Sequence, residues 1–150
     1  MSKFQLAQIN IGRLIAPLDD PLIADFVAQI DEINALAERS PGFVWRLQTD
    51  EGNATDLRPF DDDRIIVNMS VWESIEHLKE YAYHSAHTEV LKRRREWFEK
   101  FAGAFLALWW VEAGHLPTIE EARQRLDHLH KHGESEFAFS FKNPFPPPTL

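Results

Sequence analysis

The 150-residue chain is 44% apolar and 12% aromatic, enough to fill one hydrophobic core and too much for a disordered segment. A formal charge of −8 and a pI near 5.3 exclude a general affinity for nucleic acid or anionic membrane, both of which need basic surface. Cysteine is absent, which removes disulfides, thiolate catalysis and thiolate-bound metals.

Met1 to Gly12 lacks the basic-then-apolar plan of a secretory leader, and no apolar run reaches the length of a membrane span, so a cytoplasmic protein is expected. Phe4 to Ile11 alternates, with Leu6, Gln8 and Asn10 on one side and Ala7, Ile9 and Ile11 on the other, and reads as a first strand. Asp20 before Pro21 is an acidic N-cap followed by a residue that needs no amide donor, so a helix starts there. Ile23, Phe26, Val27, Ile30, Ile33 and Ala37 form its buried stripe until Ser40-Pro41-Gly42 stops it.

The second strand, Phe43 to Gln48, should place Phe43, Trp45 and Leu47 on one face and Val44, Arg46 and Gln48 on the other. Asn53 to Asp63 reads as a loop, and Arg64 to Trp72 as a third strand. Ser74 caps a helix with Ile75, Leu78 and Ala82, and Ser85 a second segment with Val90, Leu91, Trp97, Phe98 and Phe101. Ala104 to Val111 is apolar on both sides and is expected as a central or interface strand. Thr118-Ile119-Glu120-Glu121 is a capping box opening a helix on Ile119, Ala122, Leu126 and Leu129 that ends at Gly133. Phe137, Phe139 and Phe141 suggest a short edge strand, and Pro144 to Pro148 an extended tail.

The third strand is the most informative stretch. Ile65, Val67, Met69 and Val71 make one purely apolar register, expected beneath helices, while Asn68, Ser70 and Trp72 share the opposite face. That mixed face is expected to line a ligand cavity; the bland alternative gives Asn68 and Ser70 only interface hydrogen bonds and Trp72 ordinary packing. The order strand, helix, strand, strand, helix, strand predicts one α+β domain over 1–150, a ferredoxin-like split βαβ plan with an antiparallel sheet. Its core spans about residues 4–112, with an extra C-terminal helix and Pro-rich tail over 113–150. Leu6, Val44, Ile66, Trp72, Leu106, Leu108 and Trp110 are too apolar to face water, which predicts a homodimer with two sheets around a chamber.

Ser40-Pro41-Gly42-Phe43, Asn68-Met69-Ser70-Val71-Trp72-Glu73 and Ser85-Ala86-His87 resemble the dimeric α/β-barrel superfamily, in its antibiotic-biosynthesis-monooxygenase branch. The whole chain, with Leu108-Trp109-Trp110-Val111, Gly114-His115 and Glu120-Glu121-Ala122, is similar to an uncharacterised bacterial domain-of-unknown-function family. The resemblance implies a cofactor-independent monooxygenase acting on a hydrophobic phenolic, enolic or polyketide-like small molecule, with neither flavin nor metal. Asn68 would donate to the substrate oxyanion, Trp72 wall its ring and Arg46 supply positive charge, with Asn10, Ser70, Trp110 and Tyr81 as further substrate contacts. The tyrosine and arginine that complete such pockets have no secure counterpart, since Tyr81 and Tyr83 lie further on than the pattern.

A haem-degrading relative uses asparagine, tryptophan and histidine in the order that Asn10, Trp72 and His84 supply, with His87 as an alternative axial ligand, so haem is a second cofactor reading. An isomerase or cyclase would use His84 or His87 as its base, and a non-catalytic binding or structural dimer would keep only the cavity. Elsewhere, His128, His130 and His132 read as surface residues at a helix end rather than a metal clamp. Lys92 to Arg95 reads as an ion-paired face, and Asp61 to Asp63 as a turn.

Overall fold

The computed structural model describes residues 3–17, 20–47, 65–83, 94–98 and 106–148. The expected loop at Asn53 to Asp63, the helical segment from Ser85 with Val90, Leu91, Lys92, Arg93 and Phe101, and both His84 and His87 lie outside the described residues. The elements run β1 (Phe4–Arg13), a 3-10 turn (Pro21–Ile23), α1 (Ala24–Glu38), β2 (Phe43–Arg46), β3 (Ile65–Trp72), α2 (Ile75–Tyr83), α3 (Arg94–Trp97), β4 (Leu106–Glu112) and α4 (Ile119–His132).

The strands form a four-stranded sheet in the order β2-β3-β1-β4, with every neighbouring pair antiparallel. This is the ferredoxin-like α+β plan expected from the alternation of strands and helices. Local chemistry sets the ends of the elements. Asp20 accepts from the Leu22 amide at 2.9 Å, and the tight turn that follows Pro21 precedes the α-helix proper. Ser74 caps α2 by accepting from the His77 amide at 3.2 Å and also bonds His77 Nδ1 at 2.7 Å. Thr118 caps α4 through the Glu121 amide at 3.1 Å.

Both faces of the sheet are covered by the chain itself. Ala7, Ile9 and Ile11 sit opposite Val71, Met69 and Val67, and with Trp109 they form a core closed by Ala122, Leu126 and Leu129 of α4. On the other face, Leu6, Trp72 and Leu108 pack with Ala37 of α1, Leu78 of α2 and Phe139 beyond α4. The purely apolar register therefore lies under the C-terminal helix, and Asn68, Ser70 and Trp72 lie on the opposite face, which α1 and α2 also pack against. Leu6, Trp72 and Leu108 are buried and Val44, Ile66, Leu106 and Trp110 half-buried within the chain, so the premise that required a partner sheet falls.

Smaller departures have local causes. A register shift between Phe43 and Trp45 breaks the alternation of β2, so Phe43 joins the Trp72 cluster while Trp45 packs on the α4 side. β4 is the last of the paired strands rather than central; a bridge from Leu108 to Phe139 protects its outer edge, with Leu108 and Phe139 exchanging amide bonds of 2.7 and 2.9 Å. The expected edge strand is thus reduced to a single bridge. Along α1, Ile23 and Ala37 are buried, but Phe26, Ile30 and Ile33 are half-buried and Val27 is exposed, so the stripe is only partly used. His128 is half-buried against Phe137, with ring centroids 4.7 Å apart, rather than on the surface.

Only one direction of the expected capping box at α4 forms. The Glu121 carboxylate turns to the sheet, accepting from Trp109 Nε1 at 2.9 Å and meeting His115 Nε2 at 2.8 Å. Burial pushes its carboxyl up, but bonds from His115 and Trp109, with the charges of His115 and Arg125, outweigh this and hold it below the usual carboxylate range.

A carboxyl whose folded value lies below its unfolded one stabilises the fold above the ordinary carboxylate range and ceases to do so as pH falls through the folded value. Glu121→Gln should therefore flatten part of the acid-side fall in the urea midpoint, and an unchanged pH profile would remove this anchor. Gly42, at φ 83°, has no room for a Cβ because one would overlap the His77 ring, whereas Gly114, at φ 93°, has open space. Left-handed strain alone costs roughly 1–2 kcal/mol, so Gly42→Ala should lose clearly more stability than Gly114→Ala. Denaturant midpoints of the two variants test this, and equal losses would count against the His77 contact.

Candidate functional site

The sheet face beneath α1 and α2 is ordered in cross-strand rows. Trp110, Leu6, Trp72 and Phe43 form an aromatic row, Leu108, Gln8, Ser70 and Arg46 the next, and Leu106, Asn10 and Asn68 a third. The middle rows hold a connected polar cluster inside an apolar border. Gln8 Nε2 donates to Asn68 Oδ1 at 2.7 Å and to Ser70 Oγ at 2.7 Å. Asn10 Nδ2 donates to Gln8 Oε1 at 3.1 Å and to Asn68 Oδ1 at 3.4 Å. Trp72 Nε1 donates to Ser70 Oγ at 2.9 Å.

What this network leaves unused is chemically specific. Asn68 Oδ1 is filled by the amides of Gln8 and Asn10, and Asn68 is exposed. Its Nδ2 group has no acceptor among the described residues, so it is free to donate outward. Ser70 Oγ likewise accepts from Gln8 and Trp72 while its own proton finds no acceptor among the described residues.

Trp72 was expected to wall a ligand, but it is 0% exposed. Tyr81 stacks on it at 5.1 Å between ring centroids, and Phe43 meets it edge-on at 5.5 Å. It is therefore a packing anchor that also orients Ser70. Tyr81 OH donates to the Ile33 carbonyl at 3.3 Å, and burial pushes its phenol well above the ordinary value against the opposing charge of Arg46. Tyr81 accordingly stays protonated and acts as a wall and donor, not a base.

Arg46 does reach this face, opposite Ser70. Its side chain is only 10% exposed and its Nη2 lies 3.2 Å from Glu38 Oε1, so its charge is shared with α1. Trp110 sits in the aromatic row away from the asparagines, and its indole donates to the Phe145 carbonyl at 2.9 Å, where the chain's own tail covers it. The structure thus brings together Asn10, Asn68 and Ser70, with Trp72 and Tyr81 behind them; Trp110 serves the tail. The residue missed by sequence reasoning is Gln8. β1 carries three carboxamides, Gln5, Gln8 and Asn10, and alternation alone does not set Gln8 apart from the others.

Over residues 5–150 the chain matches the family described as a domain of unknown function (DUF3291). It belongs to that family. Among curated proteins it is 24% identical over 152 residues to (+)-3-carene synthase 1, chloroplastic, of Picea sitchensis, a match that takes in 99% of this chain but 22% of that protein. The chain therefore spans about a fifth of that relative's length. Among solved structures it is similar to SnoaB, a cofactor-independent oxygenase from Streptomyces nogalater, at 17% identity and a TM-score of 0.49, covering 75% of this chain and 95% of that one. It is also similar to PA3566 from Pseudomonas aeruginosa, at 12% identity and a TM-score of 0.49, covering 78% and 98% of the two chains.

Ser70→Ala removes the shared acceptor and leaves the buried Trp72 indole N–H and one Gln8 amide proton unpaired. A loss of about 1–3 kcal/mol is expected, read as a lower denaturant midpoint with altered tryptophan fluorescence. Retention of wild-type stability would mean that water substitutes freely.

Proposed function

We propose that the DUF3291 protein is a cofactor-independent monooxygenase-like enzyme that binds a hydrophobic phenolic or enolic small molecule over the polar cluster of one protomer. The observation that carries this reading is Asn68, whose carboxamide oxygen is saturated inward while its amide group is presented at the exposed end of an apolar and aromatic face. A donor fixed before the ligand arrives stabilises an oxyanion without reorganisation. The half-buried Leu106 and Ile66, flanking Asn68 on the same face, give that donor an apolar border that suits a hydrophobic ring.

The reaction needs only an acidic substrate and oxygen. A phenol loses its proton, the anion reduces oxygen, and the hydroperoxide that forms on the ring carbon eliminates water to leave a quinone. One oxygen atom enters the ring and the other departs in water with two substrate hydrogens, one from the hydroxyl and one from the ring carbon, and all four electrons come from the substrate. Asn68 and Ser70 hold the oxyanion, and Arg46, reduced in strength by Glu38, contributes long-range positive potential. His84 or His87 is proposed as the base that takes the proton.

A specific observation supports a second reading. Trp72 is sealed beneath Tyr81 and Phe43, which suits a preformed binding site as well as a reactive one. Oxygen consumption with a panel of acidic phenols and enols separates the two. Under the enzymatic reading, Asn68→Ala should lower turnover by roughly 10² to 10³ fold. Binding without oxygen uptake would support the binding protein, and an unaltered rate in the variant would remove Asn68 from the chemistry.

A further inference from the structure

We propose that Gln8 is a positioning residue that fixes which end of the Asn68 carboxamide meets the ligand, and so makes the Asn68 position a donor to oxyanions and other hydrogen-bond acceptors. The inference rests on the reading that Asn68 faces the ligand.

Gln8 is 3% exposed, at the centre of the sheet face and on the strand between β3 and β4. Each of its polar atoms is engaged: Nε2 donates to both Asn68 Oδ1 and Ser70 Oγ, and Oε1 accepts from Asn10 Nδ2. Turning this buried amide over by itself would set its donors against the Asn10 amide, so the carboxamides of Gln8, Asn10 and Asn68 hold one sense together. With Gln8 fixed, rotating Asn68 alone would set its Nδ2 group against Gln8 Nε2, donor against donor. Asn68 is thereby held with its oxygen inward and its amide protons outward. Ser70 follows the same rule, since both bonds it receives are from donors and only its proton remains to be offered. The exposed side of the cluster consequently carries the Asn68 amide as a donor beside the half-buried Asn10, whose Oδ1 has no donor among the described residues. A carbonyl, phenolate or enolate oxygen matches the Asn68 amide, and an anionic oxygen gains more from that donor than a neutral hydroxyl does.

Sequence reasoning had no cause to single out Gln8, because it touches no ligand in this scheme. Its effect passes through Asn68 and Ser70, and it differs from a purely structural core residue in controlling polarity rather than shape.

Two measurements test the proposal on the full-length protein. The first needs no ligand: side-chain amide hydrogen exchange by NMR should find the Gln8 Nε2 protons protected and the Asn68 Nδ2 protons exchanging freely. Protected Asn68 protons would mean that the network runs in the opposite sense, with Asn68 donating to Gln8, and would overturn the proposal. The second uses 4-nitrophenol, whose neutral and anionic forms are distinguished by absorbance. Wild-type protein should favour the bound phenolate. Gln8→Met, similar in length but without the amide, should reduce the phenolate-over-phenol preference about tenfold, the size of one hydrogen-bond bias, with weaker change in binding of the neutral form. Gln8→Met that keeps the full preference while Asn68→Ala loses it overturns the role of Gln8 and leaves the oxyanion site standing. Equal affinity of wild type and Asn68→Ala, or no binding by wild type, overturns both.

Discussion

The antiparallel register of β1 against β3, which sets Gln8 beside Ser70 and Asn10 beside Asn68, is the constraint on which the rest depends. A slip of one residue would move all of these groups to the other face, beneath α4, where each would be a buried polar atom in a wholly apolar layer. The cost of such a slip also falls on Ile9, Met69 and Val71, which would lose their places in that layer. The same pairing therefore specifies the core and assembles the polar cluster.

Coverage of both sheet faces explains how one short chain sustains that arrangement. α4 seals the apolar register through Ala122, Leu126 and Leu129, and Glu121 pins its first turn to Trp109. α1, α2 and the segment around Phe139 cover the aromatic row on the opposite side but leave Asn68 exposed. Among the described residues, Asn68 is the exposed end of an otherwise covered polar cluster. The members of the cluster satisfy one another inward, which fills the Asn68 oxygen and leaves its amide protons outward.

Trp72 acts on this face from beneath it. Its ring is packed by Tyr81 and Phe43, and its indole proton occupies one lone pair of Ser70. Trp72 therefore shapes the hydrogen-bonding character of the surface from below. Arg46 is a related case, since its pairing with Glu38 ties the potential of the face to the end of α1.

The fold was legible in the sequence because period-two alternation in β1, β3 and β4, caps at Asp20, Ser74 and Thr118, and the stop at Gly42 are local signals of local forces. The same alternation placed Asn68, Ser70 and Trp72 together, as the register confirms. It could not say which side of the sheet those residues face, because a pattern of two separates the faces without labelling them; that is decided by the handed crossover that lays α1 on one side. Nor could it foresee the shift between Phe43 and Trp45, the closure of the apolar face by α4, or the burial of Trp72. These depend on contacts between segments far apart in the chain, and Gln8 acquires its significance only when three neighbouring strand positions converge on its amide.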